Sequence, residues 1–287
     1  MSLDFPTFNM GYLTYPDIQE YLRHKDIIMV PVASFEQHSY HLPFLTDTIG
    51  GIEIASRAGD EAKVLYTPEL WIGYSPHHLG PPGQGIGTIT VRASTFQDLM
   101  YYICRSLIHH GFNKILLVND HASNMKIIDP VLRKVKYETG ALIGVTKLYV
   151  ERYMGLLEGL LENPPEETPG WHASEYETSM VMAHDERLVH MERAVKTEKT
   201  KTPAYLPQSF IKKDGAPDVE FEGYQYFVFP MEHREFSDTG LIGNPFRATK
   251  EKGEEAYRRY AGHLVRALKE LEKVKVEVKN REFVNRV

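Results

Sequence analysis

The sequence is poor in several features that mark other classes of protein. Its 287 residues include a single cysteine, Cys104, so neither an internal disulfide nor a Cys-x-x-Cys zinc site can form. No apolar run approaches the roughly 18 residues of a membrane span, and the N-terminal segment lacks the basic start and apolar core of a signal peptide. The net charge of −6 gives no basic excess for nucleic acid or anionic lipid. We therefore expect a cytoplasmic protein with no nucleic-acid or membrane partner.

What is present is an ordinary globular composition, with 42% hydrophobic and 25% charged residues. A chain of this length can bury a full core without disulfides or structural metal. It shows no internal repeat, no low-complexity tract and no convincing linker, which predicts a single domain over residues 1–287.

Apolar runs that suit strands alternate with segments of helical spacing. Strands or extended segments are predicted at residues 27–33, 64–68, 88–91, 114–119, 141–148 and 224–229. Helices are predicted at residues 48–62, 94–110, 127–137, 174–184 and 250–272, with a short apolar helix and a loop within 151–170. Alternating valines at 274–278 suit an edge strand or a subunit contact. The alternation predicts a three-layer α/β/α fold, with helices on both faces of a mainly parallel central sheet.

The segment FEQHSYHLPFLTD, directly after the first predicted strand, concentrates carboxylates and imidazoles. Glu36 and His38 are two residues apart, so in an extended segment they face the same way. The carboxyl edge of a parallel sheet is where ligands bind, and such donors suit a divalent transition metal. Two plainer interpretations remain open: Asp47 as the N-cap of the next helix, and His41 as a hydrogen-bonded loop residue.

His121 follows the second buried strand directly, in the run VNDHASN. Residues just after neighbouring parallel strands meet at the same sheet edge, so His121 can complete a Glu/His/Asp set. A loop histidine bonded to backbone is the alternative, and the equivalent position of the two clusters makes it less favoured.

A third cluster, WHASEYETSM, can be interpreted in two ways. Ser174 and Glu177 match a capping box at the start of a helix, which spacing alone favours. Alternatively, Glu177 is a metal ligand and His172 a general acid, which requires the helix to begin after His172.

Other candidates carry weaker signals. GPPGQGIG lacks the Gly-Lys-Ser/Thr ending of a phosphate loop and suits a plain turn. His77 and His78 precede it and could line a pocket. His184, His190 and His233 show no partner spacing, and Cys104 is expected to pack inside a helix.

Taken together, these segments resemble the creatininase (creatinine amidohydrolase) family. The matching pieces are ASFEQHSYHLPFLTD, HHLGPPGQGIGTITV, LLVNDHASN, WHASEYETS and TGLIGNPFRATKEKG, in family order across about residues 30 to 253. The resemblance implies an α/β/α hydrolase with two divalent metal ions per subunit, assembled as a homohexamer, a trimer of dimers. It implies that Glu36 and His121 hold one ion, that His38 and Glu177 hold the other, and that Asp47 bridges them.

The resemblance also assigns roles around the metals. His172 matches the family's histidine that helps to protonate the leaving group. Ser123 stands where creatininase proper has a glutamate, and only Trp71 and Trp171 are available where that enzyme uses several tryptophans. We take His78, Trp171 and Ser123 as candidate substrate contacts and do not favour creatinine itself.

Charge balance supports such a centre, because three carboxylates and one hydroxide neutralise two divalent ions. Bound metal lowers the pKa of water towards about 7 and so provides a nucleophile at neutral pH. Zinc, manganese and iron all suit these ligands. Our first hypothesis is a hydrolase in which a metal-bridging hydroxide attacks the carbonyl of a small polar substrate and cleaves an amide C–N bond. The alternatives are a C–C hydrolase of a cyclic diketone such as a dehydro-inosose, and a non-catalytic metal-dependent binding protein.

Overall fold

Parallel strands form the central sheet of the computed structural model, which describes residues 3–147, 155–162, 172–196, 200–213 and 218–284. The strands of this sheet are β1 (Ile27–Val32), β2 (Leu65–Tyr66), β3 (Lys114–Asn119) and β4 (Leu142–Lys147), in the order β2-β1-β3-β4. Every residue of β1 is buried, as expected for a parallel strand covered on both faces.

Helices cover both faces of the sheet. The α-helices of the described residues are α1 (Tyr15–Leu22), α2 (Thr46–Ala62), α3 (Ala93–His110), α4 (Met125–Thr139), α5 (Glu175–Asp185), α6 (His233–Phe236) and α7 (Lys250–Glu272). The crossover through α2 runs one way along the sheet, from β1 to β2, whereas those through α3 and α4 run the other way. Right-handed crossovers therefore place α2 on one face and α3 with α4 on the opposite face. Helices α5 and α7 pack on α2, which completes the predicted three-layer α/β/α arrangement.

The strand order reverses between the neighbouring parallel strands β1 and β3: the connection after β1 leads to β2 on one side, and the connection after β3 leads to β4 on the other. Val32, the last residue of β1, pairs with Asn119, the last residue of β3. The segments that follow them leave the sheet side by side, at the position where open α/β sheets bind ligands. The fold thus brings the first two sequence clusters to one edge.

The first residues of α2 and α5 test two of the interpretations made from the sequence. Helix α2 begins at Thr46 with Leu45 as its N-cap, two residues earlier than predicted. The N-cap interpretation of Asp47 is therefore wrong, because this residue lies inside the first turn. Helix α5 begins at Glu175, so His172 precedes it, as the ligand interpretation of this segment required.

Helix α7 packs closely against α5, the helix that carries Glu177 of the WHASEYETSM segment. A Cβ atom built at Gly253 of α7 would lie 1.9 Å from the Ser179 carbonyl oxygen of α5, so only glycine allows this approach. Thr249 caps α7, its hydroxyl accepting from the Lys252 N–H at 3.2 Å.

Two predicted extended segments are not strands. Residues 88–91 form only single bridges, Ile89 to Phe35 and Thr90 to Gly73, because they run between loops rather than along a strand. Residues 274–278 also lie outside any strand; the chain here is tied instead by the Lys279 N–H to the Thr139 carbonyl at 2.9 Å. The interpretation of that segment as a subunit contact stays a prediction.

The remaining sequence predictions concern smaller features. The extended segment at 224–229 is confirmed as β7 (Tyr224–Val228), which pairs antiparallel with β6 (Asp218–Phe221), itself paired with β5 (Phe210–Ile211). Cys104 is fully buried in α3, as expected. The predicted helix and loop within 151–170 fall largely outside the described residues. No helix in the described part of the chain combines the length and apolar character that a membrane crossing needs.

Candidate metal centre

All five predicted ligands converge at the edge where β1 and β3 end. They arrive from the segment after β1, the first turn of α2, the segment after β3 and the first turn of α5: Glu36, His38, Asp47, His121 and Glu177. Each is buried, with between 1% and 7% of its surface exposed. Burying so many ionisable groups together is costly unless a counter-charge is present.

The first potential metal group comprises Glu36, Asp47 and His121, whose ligand atoms lie within 4.8 Å of one another. His121 Nδ1 is 2.9 Å from Asp47 Oδ2 and 3.5 Å from Glu36 Oε2. The Ser34 hydroxyl also donates to Asp47 Oδ2, at 2.7 Å, and steadies that carboxylate.

The second group comprises His38, Asp47 and Glu177, within the same limit. His38 Nε2 is 3.0 Å from Asp47 Oδ1 and 3.7 Å from Glu177 Oε2. The two groups share Asp47, which offers one carboxylate oxygen to each. A shared carboxylate is the arrangement that holds two ions next to each other.

Backbone carbonyls fix which nitrogen of each histidine faces the cluster. His38 Nδ1 lies 3.1 Å from the Glu36 carbonyl oxygen, and His121 Nε2 lies 3.1 Å from that of Tyr74. A carbonyl only accepts, so these nitrogens donate, and on the neutral rings that would bind metal the lone pairs lie on the opposite nitrogens. Metal-binding histidines are oriented in this way in known metalloproteins.

One carboxylate oxygen lacks the partner that burial demands. Glu36 Oε2 is buried and makes no hydrogen bond within the described residues. Burial raises the pKa of Glu36, although His121 opposes the shift. Burial also acts on Asp47, but His38 and His121 outweigh it and hold the pKa of Asp47 well below its usual value. A divalent ion beside Glu36 Oε2 would satisfy this oxygen, so the donor set fits a metal.

The two candidate ligand histidines have raised pKa values in the metal-free chain. Burial disfavours the charged ring of His38, yet Asp47 and its neighbours prevail and raise the pKa to about 10. In the same way, Glu36 and Asp47 overcome burial at His121 and raise its pKa to about 9. Positive charge is therefore favoured where metal ions would lie.

His172 lies against the cluster with one nitrogen free. Its Nε2 donates to the Gln37 carbonyl oxygen at 2.7 Å, so the lone pair is on Nδ1, which is 3.9 Å from Glu36 Oε1. The ring stacks on His38 with centroids 4.2 Å apart. Burial, reinforced by His38, lowers the pKa of His172 well below its ordinary value, so the ring is neutral.

The predicted substrate contacts have different surroundings. His78 Nε2 is 3.3 Å from Glu36 Oε1, next to the cluster. Ser123 is buried and its hydroxyl lies 3.4 Å from His77 Nε2. Trp171 lies outside the described residues. The role of all three in substrate binding stays a prediction.

Sequence reasoning missed several residues around the cluster. His233 shows no partner spacing in the sequence, yet its ring centroid lies 4.7 Å from that of His172 and 4.5 Å from that of His78. Ser75 carries no sequence signal either, although its hydroxyl lies 3.1 Å from His121 Nε2. No local pattern signals these contacts, because each joins segments far apart in sequence.

Two open cavities reach the segment that carries the first ligands. One, of about 560 Å³, is walled by the glycine-rich loop and Arg234. The other, of about 320 Å³, reaches His38 and is bordered by Arg187 and Arg193. Gln37 lines both, and of the five candidate ligands only His38 lines either of these two cavities.

Comparison with known proteins agrees with this geometry. The profile of the creatininase family, described as creatinine amidohydrolase, matches residues 11–268. The chain belongs to the creatininase family. The family resemblance predicted from the motifs is therefore confirmed.

Two curated relatives cover most of the chain. It is 29% identical over 265 residues to a 3-dehydro-scyllo-inosose hydrolase of Thermotoga maritima, spanning 90% of this chain and 82% of the relative. It is 26% identical over 257 residues to a creatinine amidohydrolase of Pseudomonas putida, spanning 85% and 90%.

Solved structures confirm the creatininase fold. A crystal structure of creatinine amidohydrolase (creatininase) superposes with a TM-score of 0.72 at 24% identity, covering 94% of this chain and all of that one. A creatininase structure named as a manganese form gives a TM-score of 0.71 at 24% identity, covering 93% of this chain and all of that one. Since the family members and named relatives are hydrolases, this creatininase-family protein is a metal-dependent hydrolase.

Proposed function

We propose that this creatininase-family hydrolase holds two divalent ions per chain and acts on the carbonyl of a small polar molecule. The observation that carries the proposal is Asp47, whose two oxygens belong to two separate three-residue groups. Glu36 and His121 complete one group, and His38 and Glu177 complete the other. Zinc, manganese or iron suits these nitrogen and oxygen ligands.

The bound ions would supply a nucleophile from water at neutral pH and polarise the substrate carbonyl. The geometry of His172 suits proton transfer. Its neutral ring, anchored through Nε2 to the Gln37 carbonyl, presents the lone pair of Nδ1 towards Glu36. Nδ1 can accept a proton early in the reaction and return it to the departing nitrogen or carbon.

Cleavage of an amide C–N bond is our first proposal for the reaction, and the creatinine amidohydrolase relative supports it. Cleavage of a C–C bond in a cyclic diketone is the second, because the inosose hydrolase relative has the higher identity and covers more of the chain. Both reactions begin with attack on a carbonyl, so one centre serves either. Membership in a family of hydrolases favours an enzyme over the non-catalytic binding protein.

Metal analysis and a substrate panel test the proposal together. We expect two ions per chain after loading with Mn²⁺ or Zn²⁺, and turnover of a formamide, a cyclic amide or an inosose. His172→Gln, which keeps an amide nitrogen near the position of Nε2 but has no basic nitrogen, should keep both ions and lose turnover. Fewer than one ion per chain under metal-replete conditions would contradict the centre.

A further inference from the structure

Two histidines outside the ligand set, His78 and His233, form a chain of polar contacts that ends on Glu36. His78 Nε2 lies 3.3 Å from Glu36 Oε1, and His78 Nδ1 lies 2.9 Å from His233 Nδ1. Both rings are buried. They come from segments 155 residues apart, the turn at Pro76–His78 and helix α6.

Gln37 determines which atoms of His78 carry a hydrogen. The Ser39 N–H donates to Gln37 Oε1 at 2.9 Å, which directs the amide nitrogen towards His78 Nδ1 at 3.0 Å. An amide nitrogen only donates, so His78 Nδ1 accepts. The neutral ring then has its hydrogen on Nε2, the atom that faces Glu36.

The two histidines and Gln37 meet at one point. His78 Nδ1 and His233 Nδ1 are 2.9 Å apart, and Gln37 Nε2 lies 3.0 Å from the first and 3.2 Å from the second. The amide nitrogen faces both rings as a donor, so the contacts give no single direction of donation between the histidines. Together they fix the position of the His78 ring, whose Nε2 lies 3.3 Å from Glu36 Oε1.

We propose that His233 and Gln37 are positioning residues that act through His78 to hold the carboxylate of Glu36. With Oε1 held by His78, Oε2 is presented to the ion shared with His121 and Asp47. The inference rests on the proposed two-ion centre and adds a determinant for one of its two ions. Outer partners of this kind typically change metal affinity by roughly 10- to 100-fold.

A matched pair of substitutions at His233 tests the inference. Asparagine and leucine have nearly the same shape, but only asparagine keeps a polar group near the position of the imidazole Nδ1. We expect His233→Leu to weaken the binding of one Mn²⁺ ion by roughly 10- to 100-fold and to leave the other unchanged. His233→Asn should bind both ions about as tightly as the unaltered chain. Titration calorimetry of the full-length, metal-free chain with Mn²⁺ alone measures both.

A second variant, His78→Gln, tests whether His233 acts through His78. In His78→Gln the amide nitrogen of the new side chain takes the place of Nε2 and can donate to Glu36, whereas no polar atom takes the place of Nδ1 beside His233. Adding His233→Leu to His78→Gln should therefore cost no further Mn²⁺ affinity. A double variant that loses the same affinity as His233→Leu alone would show independent effects and overturn the action of His233 through His78.

The outcomes separate this inference from the proposed function. If the unaltered chain binds two Mn²⁺ ions and His233→Leu binds them equally well, the positioning role is wrong and the two-ion centre stands. If both His233 variants lose the same affinity, His233 acts by packing, and the positioning role is again wrong. If the unaltered chain binds no Mn²⁺, both the centre and the inference are wrong.

Discussion

At the scale of single residues, Asp47 lies between the two groups of candidate metal ligands. Oδ1 faces His38 at 3.0 Å and Oδ2 faces His121 at 2.9 Å. Asp47→Ala removes a ligand from both groups, so we expect loss of both ions. Glu177→Ala removes a ligand from one group and should leave one ion. Metal content after dialysis distinguishes them, and an Asp47→Ala chain that retains an ion would show that Asp47 does not bridge.

The raised pKa values of His38 and His121, about 10 and about 9, make metal binding depend on pH. At neutral pH in the metal-free chain, both rings carry the second proton that makes an imidazole positively charged. A metal ion must displace this proton in order to bind. Affinity should therefore rise as the pH rises towards 9 and fall as it is lowered, roughly tenfold per pH unit for each proton displaced.

Calorimetry in buffers of different ionisation enthalpy counts the released protons. His184→Ala is a suitable control, because this histidine contacts Glu53 at 2.7 Å, outside the metal groups. The control should release as many protons as the unaltered chain. Binding without proton release at about pH 7 would contradict this account.

The sequence supports part of the centre at this scale. His121 could be predicted because it directly follows a strand, and strand ends in a parallel sheet meet. Glu177 could not be separated from a cap by spacing alone; in the structure its carboxylate accepts from the Ala173 N–H at 2.5 Å and also lies 3.7 Å from His38. His233 could not be predicted, because its contacts depend on how α6 meets the rest of the fold.

At the scale of elements, Gly253 lets α7 approach α5, which carries Glu177. In Gly253→Ala the added Cβ would meet the Ser179 carbonyl oxygen at 1.9 Å, so the helices must separate. We expect a loss of about 1–3 kcal/mol in the free energy of unfolding. Weaker binding of the ion at His38 and Glu177 should accompany it, and denaturant unfolding and Mn²⁺ titration measure the two effects.

Gly262 in the same helix provides the matched control. The nearest atom to a Cβ built there is the Arg266 side-chain nitrogen at 3.9 Å, so an added methyl group has room. Gly262→Ala should stabilise the chain by about 0.5–1 kcal/mol through helix propensity, without changing Mn²⁺ affinity. Equal effects of the two substitutions would contradict the close-packing argument.

Regular elements could be predicted better than the connections between them. Strand β3 has the predicted bounds, because a buried apolar run is a strong local signal. Residues 88–91 alternate between apolar and polar side chains as a strand does, but they form only single bridges, since no complete strand lies beside them. The start of α2 at Thr46, which places Asp47 inside the first turn, also depends on packing that local sequence does not contain.

At the scale of the whole molecule, metal removal should lower stability. Three buried carboxylates, on Glu36, Asp47 and Glu177, lie close together, and without metal the charged rings of His38 and His121 offset only part of their charge. An ion at about a hundred times its dissociation constant adds roughly 2.7 kcal/mol. A chelator should therefore lower the thermal midpoint, and Mn²⁺ should restore it. Asp47→Ala should show no such shift; the same shift in this variant would place the stabilising ion elsewhere.

The family resemblance predicts a homohexamer, a trimer of dimers. Light scattering on the purified protein should give six times the mass of the 33.0 kDa chain. The same measurement on Asp47→Ala separates assembly from metal binding, since we expect that variant to remain hexameric. A monomeric mass at micromolar concentration would contradict the predicted assembly.

The reversal of strand order between β1 and β3 separates two kinds of position in this protein. The candidate metal ligands lie at a buried sheet edge and on helices beside it, whereas the cavity walls belong largely to loops. Substitutions in the walls can alter which molecule enters while the reactive centre keeps its shape. Substrate preference and metal binding should therefore respond separately to substitution in this protein.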